Sequence, residues 1–451
     1  MIRIAIALAC LGLPASAAWL AGAAKVNINP AEPIWLAGYG GRERPSDEIL
    51  QDIWIKALAL KDDTGAVSVI TTADLVGLDT KTVETVSARV RAMHGIPRER
   101  LLFNYSHNHS CPVTGDVLKL YYTLTPDQQA AVDRYTRRLY DQYVEVIDRA
   151  VRNLAPASLT FEQGLAGIAV NRRRSRPGGR KLPGPVDHDV PVLSVRGEGN
   201  ALKAVAFGYS CHATALSGYK INGDYPGYAQ QDLEERNPGS VALFVMGCGG
   251  DANPLPRIMN STDAPSVELA SMYGRILSVA TQLVLDGKGA KPAPVEGPLR
   301  VAYGIAEVPF QKAPSRDELV ANRSRFTGAR LRYNNYLLSQ LDREGKLPDR
   351  YPYPVQVWRF GKSLTMIGLT GEPVVDYCLR FKGQYGSDNT WVAGYNNELL
   401  SYIPSLRVLK EGGYEGTEGI PEYGLPAPYG WAVEETIALK VDELLRSLEP
   451  K

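Results

Sequence analysis

The chain has few of the residues that most often carry metal or redox chemistry. It contains only five histidines and five cysteines among 451 residues. No C-x-x-C pair occurs, which argues against a zinc knuckle or a thioredoxin-like redox centre. If the chain binds a metal, the ligands are expected to come from histidines instead.

Excess charge and long apolar segments are missing as well. The formal net charge is +1, which gives no support for nucleic-acid binding or for a strongly anionic membrane surface. Beyond the N-terminal region, no segment approaches the ~18 consecutive apolar residues of a transmembrane helix. Small or amphiphilic substrates remain open, the latter with transient contact to a membrane surface.

The N-terminus has the pattern of a secretory signal peptide. Arg3 precedes an apolar stretch at 4–13, and the small residues Ala15-Ser16-Ala17 follow. An apolar stretch this short with a small-x-small site is typical of a signal that is removed on export. Residues 1–18 are therefore predicted to be a signal peptide, and the mature protein is expected to be secreted or periplasmic. A lipoprotein anchor at Cys10 is the alternative.

Four cysteines remain after the predicted signal: Cys111, Cys211, Cys248 and Cys378. Export would permit disulfides. Cys111 and Cys211 both lie beside histidines, so a bridge between these two near the functional site is one hypothesis.

Short apolar runs alternate with helical patterns along the chain, which predicts an α/β fold. Strands are predicted at 53–60, 67–72, 101–105, 190–195, 204–209, 241–245, 355–360 and 364–369. Helices are predicted at 80–94, 125–154, 267–285, 316–343 and 431–448.

Length alone suggests two or three domains at ~150 residues each, but no internal repeat or long linker divides the chain. Residues 19–451 are treated as one unit, with a candidate subdomain joint at 288–297, which is rich in Pro, Gly and Ala. The Gly-, Pro- and Tyr-rich region 402–429 is predicted to be a long structured loop.

An H-x-H pair stands directly after the predicted strand 101–105. In an extended chain His107 and His109 would face the same side, ~6–7 Å apart, and imidazoles are common zinc ligands. Alternatively, both are polar residues bonded to backbone at a strand end. The H-x-H-x-D-H pattern of metallo-β-lactamases fails, because Cys111 and Pro112 follow.

Other strand ends add candidate ligands. His212 follows the predicted strand 204–209, where ligands collect in α/β folds. The predicted strand 241–245 leads into a glycine-rich turn with Asp251 and Asn253. This turn is followed by no Gly-Lys-Ser/Thr and contains no G-x-S-x-G, so it fits neither a phosphate loop nor a hydrolase serine. We expect turn and helix-end roles for His188 and His94.

Several short motifs, in order along the chain, resemble the neutral (non-lysosomal) ceramidases. The matching segments are Ser106-His107-Asn108-His109-Ser110, Asn171 to Ser175 as Asn-x-x-Arg-Ser, His212, Gly250-Asp251, Gly371-Glu372, and Tyr402 with Tyr414-Glu415. They span nearly the whole predicted mature chain. Taken singly, Glu372 would be a helix N-terminal carboxylate, the tyrosines loop aromatics and the arginines 172–174 a solvated charge run.

The resemblance implies an α/β fold with a mixed sheet and helices packed on it. It also implies a zinc ion bound by four residues, His107, His212, Glu372 and Tyr402. Further implied site residues, near the substrate or the developing oxyanion, are His109, Tyr414, Arg174, Asp251 and Asn253. Which of arginines 172–174 enters the pocket is left open. Zinc lowers the pKa of water toward ~7, which would give a nucleophile for an amide carbonyl.

The implied activity is that of an exported zinc-dependent hydrolase cleaving the N-acyl bond of an amphiphile, ceramide or another N-acyl compound. Two departures favour a substrate other than ceramide. Asn253 stands where the ceramidases have a serine, and the chain ends at the predicted helix 431–448, without their immunoglobulin-like domain. The alternatives are a metal-dependent hydrolase of another amide or ester on the same scaffold, and a non-catalytic exported binding protein.

Overall fold

The computed structural model describes residues 19–174, 184–257, 264–289 and 291–449; the predicted signal peptide lies outside them. The strands are β1 Trp19–Asn27, β2 Trp54–Lys61, β3 Val67–Ala73, β4 Leu101–Tyr105, β5 Ala155–Leu165, β6 Ala169–Asn171, β7 Asp189–Arg196, β8 Leu202–Tyr209, β9 Val241–Met246, β10 Ala252–Pro254, β11 Ala293–Pro294, β12 Leu299–Pro309, β13 Arg350–Phe360, β14 Leu364–Thr370, β15 Glu372–Pro373, β16 Thr390–Asn396 and β17 Tyr402–Ile403. The helices are α1 Thr80–His94, α2 Pro126–Arg152, α3 Asp224–Arg236, α4 Ala264–Leu285, α5 Arg316–Asn322, α6 Gly328–Glu344, α7 Asp376–Tyr385, α8 Leu406–Glu411 and α9 Val433–Ser447.

Among the described residues, 13 strands form one mixed sheet. Its order is β12-β13-β14-β16-β4-β3-β2-β1-β5-β7-β8-β9, with β11 paired to β5. The pairs β3–β4, β8–β9 and β14–β16 are parallel, and the other pairs of this sheet are antiparallel. The predicted α/β fold with a mixed sheet is confirmed.

The sheet folds so that two halves pack by their inner faces. Trp391 on β16 stacks on Phe161 on β5, with ring centroids 6.2 Å apart, and both belong to one buried cluster that also holds residues of β2, β9 and β13. Helices α1 to α4 cover the outer face of the half that runs from β4 to β9, and α7 and α9 cover that of the half from β12 to β16. The result is four layers, helix–sheet–sheet–helix.

The central strands are apolar because both of their faces are covered. β9 is buried from Ala242 to Met246, and β4 is buried at every position. Continuous apolar runs of this kind are typical of doubly covered strands. The predicted strands therefore match β2, β3, β4, β7, β8, β9, β13 and β14 within a few residues.

Other elements were not predicted. β1, β5 and β12 alternate more and less buried positions, β16 is buried throughout but interrupted by small and polar residues, and helices α3 and α7 have weak apolar periodicity. The single helix predicted at 316–343 is wrong, because the chain breaks between α5 and α6. Gly328 opens α6 with φ +55°, a left-handed conformation that a continuous α-helix cannot include.

The predicted joint 288–297 lies between α4 and β12 and contributes β11 to the sheet. In the described part of the chain, no helix combines the length and apolar character needed to cross a membrane.

The proposed Cys111–Cys211 bridge is wrong: the described cysteines are buried free thiols. Cys111 Sγ accepts a hydrogen bond from the Val76 N–H and donates to Asn108 O, whereas Cys211 Sγ points to the His212 carbonyl. Each sulfur therefore contacts backbone groups and does not bond to the other sulfur.

Candidate metal and active site

The H-x-H pair does not continue the strand that precedes it. β4 ends at Tyr105, and His107 adopts a left-handed backbone conformation with φ +53°. The chain therefore turns, with the His107 N–H bonded to Leu75 O and the His109 N–H to Ala213 O. The extended geometry expected from the sequence is wrong, yet the turn still brings both rings together, with centroids 4.9 Å apart.

His107 and His212 present their Nε2 atoms to the same point. His107 Nδ1 lies 2.8 Å from Val76 O, and His212 Nδ1 lies 2.6 Å from Gly249 O. A carbonyl accepts only from an N–H, so each ring carries its proton on Nδ1 and leaves the Nε2 lone pair free. This carbonyl support is the arrangement seen behind metal-binding histidines.

Glu372 reaches this point from the segment that directly follows β14, a strand of the other half of the sheet. It follows Gly371, whose φ of +70° and 2.7 Å distance from a would-be Cβ to Ser401 O require glycine. The Glu372 Oε2 atom lies 3.2 Å from both His107 Nε2 and His212 Nε2. Oε2 accepts no hydrogen bond from any described residue.

These three atoms fit a cation. Two imidazole lone pairs and a carboxylate oxygen face one another at about hydrogen-bond distance, with both ring protons on the far side. Acceptors in this arrangement repel unless a positive charge lies among them. Burial lowers the pKa of His212 to about 4, so its ring is neutral and cannot supply that charge near pH 7. Nitrogen and oxygen donors of this kind are the ligands that zinc takes in catalytic sites.

Tyr402 and His109 complete the inner group. β15 pairs with β17 so that Glu372 and Tyr402 lie side by side, and the Tyr402 hydroxyl lies 3.4 Å from His212 Nε2. His109 Nε2 lies 3.2 Å from His107 Nε2. The three histidines offer ring nitrogens within 4.8 Å of one another.

His109 differs from the other two histidines in its support. Its Nδ1 has no hydrogen-bond partner among the described residues, and its ring packs edge-on against Tyr39, with centroids 4.8 Å apart. Burial, with His107 and His212, lowers its pKa well below 6.5. Because His107 Nε2 is an acceptor, the 3.2 Å contact places the His109 proton on Nε2, and this N–H can be offered to a ligand beside the metal point.

Tyr423 is a site residue that the sequence did not reveal. Its hydroxyl donates to Glu372 Oε1 at 2.5 Å, which leaves Oε2 directed at the two histidines. The residue lies in a short 3₁₀ helix, Ile420–Tyr423, within the region predicted as a loop. Nothing periodic marks it in the sequence, so only its contact with Glu372 identifies it.

Tyr414 lies at the mouth of the site, with 38% of its surface exposed. Its ring is 5.2 Å from that of Tyr402, centroid to centroid, and its hydroxyl donates to Glu422 Oε2 at 2.6 Å. Burial, with the charge of Glu372, raises the pKa of Glu422 to about 7. Glu422 was not predicted, and it adds a carboxyl that can exchange a proton near neutral pH.

The arginine at the site is Arg172, and the expectation for Arg174 is wrong. Arg172 Cζ lies 5.4 Å from the centroid of the Tyr402 ring, and its Nε donates to Glu415 at 2.7 Å. Arg174 instead bonds Glu411 in a more exposed position, at 2.7 Å. The Arg172–Arg174 segment is a 3₁₀ turn, so residues two apart point in different directions.

Asp251 does not face the metal point. Its carboxylate is buried and accepts hydrogen bonds from the Val375 N–H and from Asn171 Nδ2, both at 2.8 Å. Gly250, beside it, packs on the backbone of Glu372, where a Cβ would lie 2.6 Å from the carbonyl oxygen. Asp251 therefore holds two chain segments together, and it positions the site without lining it.

Asn253 lies between two arginines. Its side chain is 3.4 Å from Arg172 Nη1. In the amide orientation that satisfies both ends, its oxygen accepts from Arg257 Nη1 at 2.7 Å and its nitrogen donates to Ala252 O at 3.3 Å. In this orientation the amide nitrogen faces Arg172 Nη1, so Asn253 is held by Arg257 and offers Arg172 no acceptor.

Two solved structures resemble this chain over most of its length. The crystal structure of neutral ceramidase from Pseudomonas aeruginosa matches with a TM-score of 0.74 and 20% identity, covering 96% of this chain and 75% of that one. A ceramidase complexed with C2 matches with a TM-score of 0.72 and 18% identity, covering 96% and 76%. No family model and no curated sequence matches. The resemblance read from the sequence is therefore confirmed for the fold: this chain has the fold of the neutral ceramidases.

Proposed function

We propose that this protein is a zinc-dependent hydrolase of the neutral ceramidase family that cleaves the N-acyl bond of an amphiphilic amide. The observation that carries the proposal is the approach of Glu372 Oε2 to His107 Nε2 and His212 Nε2, 3.2 Å in each case. These residues come from distant parts of the chain, and no hydrogen bond explains their approach. The shared fold with two ceramidases supports the reaction class.

His107, His212 and Glu372 would hold the zinc ion, with the Tyr402 hydroxyl as a fourth ligand. When bound, zinc supplies Lewis-acid activation of water and of the amide carbonyl. Carbonyl acceptors behind both histidines and the Tyr423 hydroxyl behind Glu372 keep the ligand atoms in position. Such supporting contacts typically change metal affinity 10–100-fold.

His109 flanks the ligand group and would donate a hydrogen bond to the carbonyl oxygen as negative charge develops there, and Tyr414 would do so when its hydroxyl turns from Glu422. Each such donor is worth roughly 3–4 kcal/mol of transition-state stabilisation. Arg172, over the face of Tyr402, adds positive charge on the same side. Together they would favour the tetrahedral species over the planar amide.

Hydrolysis also requires a proton for the nitrogen that leaves. The oxygen of water joins the carbonyl carbon, the C–N bond breaks, and the amine departs with an added proton, while the proton released by water restores the donor. We assign this proton to the Tyr414–Glu422 pair. Tyr414 occupies Oε2 of Glu422, which leaves Oε1 to carry a proton, and a carboxyl with a pKa of about 7 can be protonated at neutral pH.

We propose further that the protein is exported, with residues 1–18 removed as a signal peptide. The composition of this segment supports export. N-terminal sequencing of protein recovered from the periplasm or medium of an expressing cell tests it. Retention of the segment in soluble cytoplasmic protein would contradict it.

Metal content and amide hydrolysis test the main proposal together. Purified protein is analysed for bound metal and assayed on a fluorescent ceramide beside short N-acyl amines. We expect about one zinc per chain and chelator-sensitive release of fatty acid from at least one N-acyl compound. Because Asn253 replaces a serine, a non-ceramide amide is the favoured substrate. Zinc-free protein that binds but does not cleave these amides would support a binding protein instead.

A further inference from the structure

The mouth of the site is bordered by a continuous chain of contacts that includes two arginines. Tyr39 stacks edge-on against His109, and the Tyr39 hydroxyl accepts from Arg257 Nη2 at 3.3 Å. Arg257 in turn contacts Asn253, which contacts Arg172. Both guanidinium groups therefore lie within two side chains of the metal point.

The positive charges of the two arginines are not equally balanced. Arg172 is paired with the buried carboxylate of Glu415. No carboxylate of a described residue forms an ion pair with Arg257. Asp224 is close enough to influence Arg257 electrostatically, but its oxygens are occupied by backbone N–H groups of residues 215, 216 and 225.

Both arginines also have unused donors. Arg172 Nη2 and Arg257 Nε are buried and find no acceptor among the described residues. A buried donor without an acceptor costs about 1–3 kcal/mol. Two like charges placed on either side of one neutral amide add Coulomb repulsion. Both costs disappear if an anion occupies this wall of the site.

Arg42 adds to the surplus positive charge behind the same wall. It is 7% exposed, and its guanidinium donates to the carbonyls of Ala37, His109 and Gly218, with no carboxylate of a described residue paired to it. The His109 carbonyl thus accepts a hydrogen bond from Arg42, while the His109 ring faces the mouth of the site, which Arg172 and Arg257 border.

We propose that Arg257, acting with Arg172 across Asn253, binds an anionic group of the substrate. The preferred substrates are then N-acyl compounds with an acidic headgroup close to the scissile amide, such as N-acyl amino acids. This inference rests on the proposed amide hydrolysis and narrows its substrate class. Guanidinium groups recognise carboxylates by paired, charge-assisted hydrogen bonds, which a neutral hydroxyl cannot match.

A matched pair of substrates tests the proposal: N-lauroylglycine and N-lauroylethanolamine share an acyl chain and differ in a carboxylate or a hydroxymethyl group. Hydrogen bonds to charged groups are worth about 1.5–3 kcal/mol. We therefore expect kcat/KM to favour the glycine conjugate by about 10–100-fold. Arg257→Gln should remove most of this preference, chiefly through KM. Arg89→Gln, an exposed arginine on α1 paired with Asp141, should keep it.

A binding measurement separates this inference from the proposed reaction. Calorimetry with N-lauroylglycine on His107→Ala protein, which is expected to lack metal, should show binding about 10–100-fold tighter than that of N-lauroylethanolamine. The double variant with Arg257→Gln should lose the difference. Equal affinity or equal kcat/KM for the two amides would overturn the anion site, even where both are hydrolysed. Preferential binding without hydrolysis would sustain it and reject the hydrolase.

Discussion

Replacing His107 with alanine should remove both the metal and the stability that the metal supplies. His107 Nε2 is one of three acceptor atoms that converge at 3.2 Å. Its ring is fixed by the Val76 carbonyl, so no alternative rotamer is needed for binding. An ion that binds only the folded chain shifts the unfolding equilibrium by mass action.

The size of this effect follows from the binding free energy and the chain length. At free zinc about 1,000 times Kd, binding stabilises the fold by about 4 kcal/mol. A chain of 451 residues unfolds with an entropy of about 0.9 kcal/mol/K. Metal loss should therefore lower Tm by about 4–5 °C. Chelator should lower the Tm of the wild-type protein by this amount and leave that of His107→Ala unchanged.

His109→Ala is the matched control, because it removes a neighbouring imidazole of the same motif. His109 lacks the carbonyl support that His107 and His212 have, and we assign it to the oxyanion. Its loss should leave zinc stoichiometry and the chelator-dependent Tm shift in place while kcat falls about 10²–10³-fold. Elemental analysis after dialysis, thermal unfolding with and without chelator, and steady-state kinetics provide the three readouts.

Two results would refute this division of roles. If His107→Ala and His109→Ala lose zinc alike, His109 is a ligand and the distinction drawn from Nδ1 support is wrong. If wild-type Tm does not respond to chelator and the protein binds no zinc, the convergence of Glu372 with the histidines does not hold a metal.

Three further substitutions test the surroundings of the site. Because the pKa of Glu422 is raised to about 7, wild-type kcat should fall as the pH rises through 7. Glu422→Gln should lower kcat and abolish this fall. A variant with an unchanged pH profile would reject the role of Glu422 as proton donor. The raised pKa also affects stability. The stability that Glu422 contributes is fully present below its usual pKa of 4.5 and is lost as the pH rises through about 7. Tyr423→Phe removes the donor to Glu372 and should weaken zinc binding about 10–100-fold in a chelator competition, whereas Tyr333→Phe, which loses a hydroxyl bonded to a backbone carbonyl, should not. Asp251→Asn should lower the unfolding free energy by about 1–3 kcal/mol in urea titrations without changing zinc stoichiometry. If the variant has normal stability but no activity, Asp251 acts in catalysis and not only in positioning the site.

The fold could be predicted to the extent that its strands are buried on both faces. β9 and β4 are continuous apolar runs, since helices and the opposite half of the sheet cover them. β1 and β5 carry alternating exposure and small residues, and their pairing with distant strands is what orders them. Local sequence does not contain that information, so these strands were missed.

The candidate site was reached through motif resemblance, and its conformation was not predictable from spacing. The H-x-H pair was expected to be extended, but the left-handed turn at His107 sets the ring positions. Arg174 fits the motif by sequence, yet the 3₁₀ turn directs Arg172 to the site. In both cases the local backbone conformation determines which side chain points into the site, and the types of the neighbouring residues do not specify that conformation.

The site also lies where the two halves of the sheet meet, which explains why no single segment reveals it. His107 and His212 follow β4 and β8 of one half. Glu372 follows β14 of the other half and pairs with Tyr402 in a separate two-stranded sheet, β15–β17. Asn104, just before the H-x-H pair, links the two halves of the sheet where they meet. Its side chain accepts a hydrogen bond from the Met246 N–H on β9 at 2.8 Å and donates one to Gly394 O on β16 at 2.8 Å. A cation held by ligands from both halves would add a further cross-link at the same place. Metal binding and the packing of the two halves should therefore be coupled, because either one brings the ligands for the other into register.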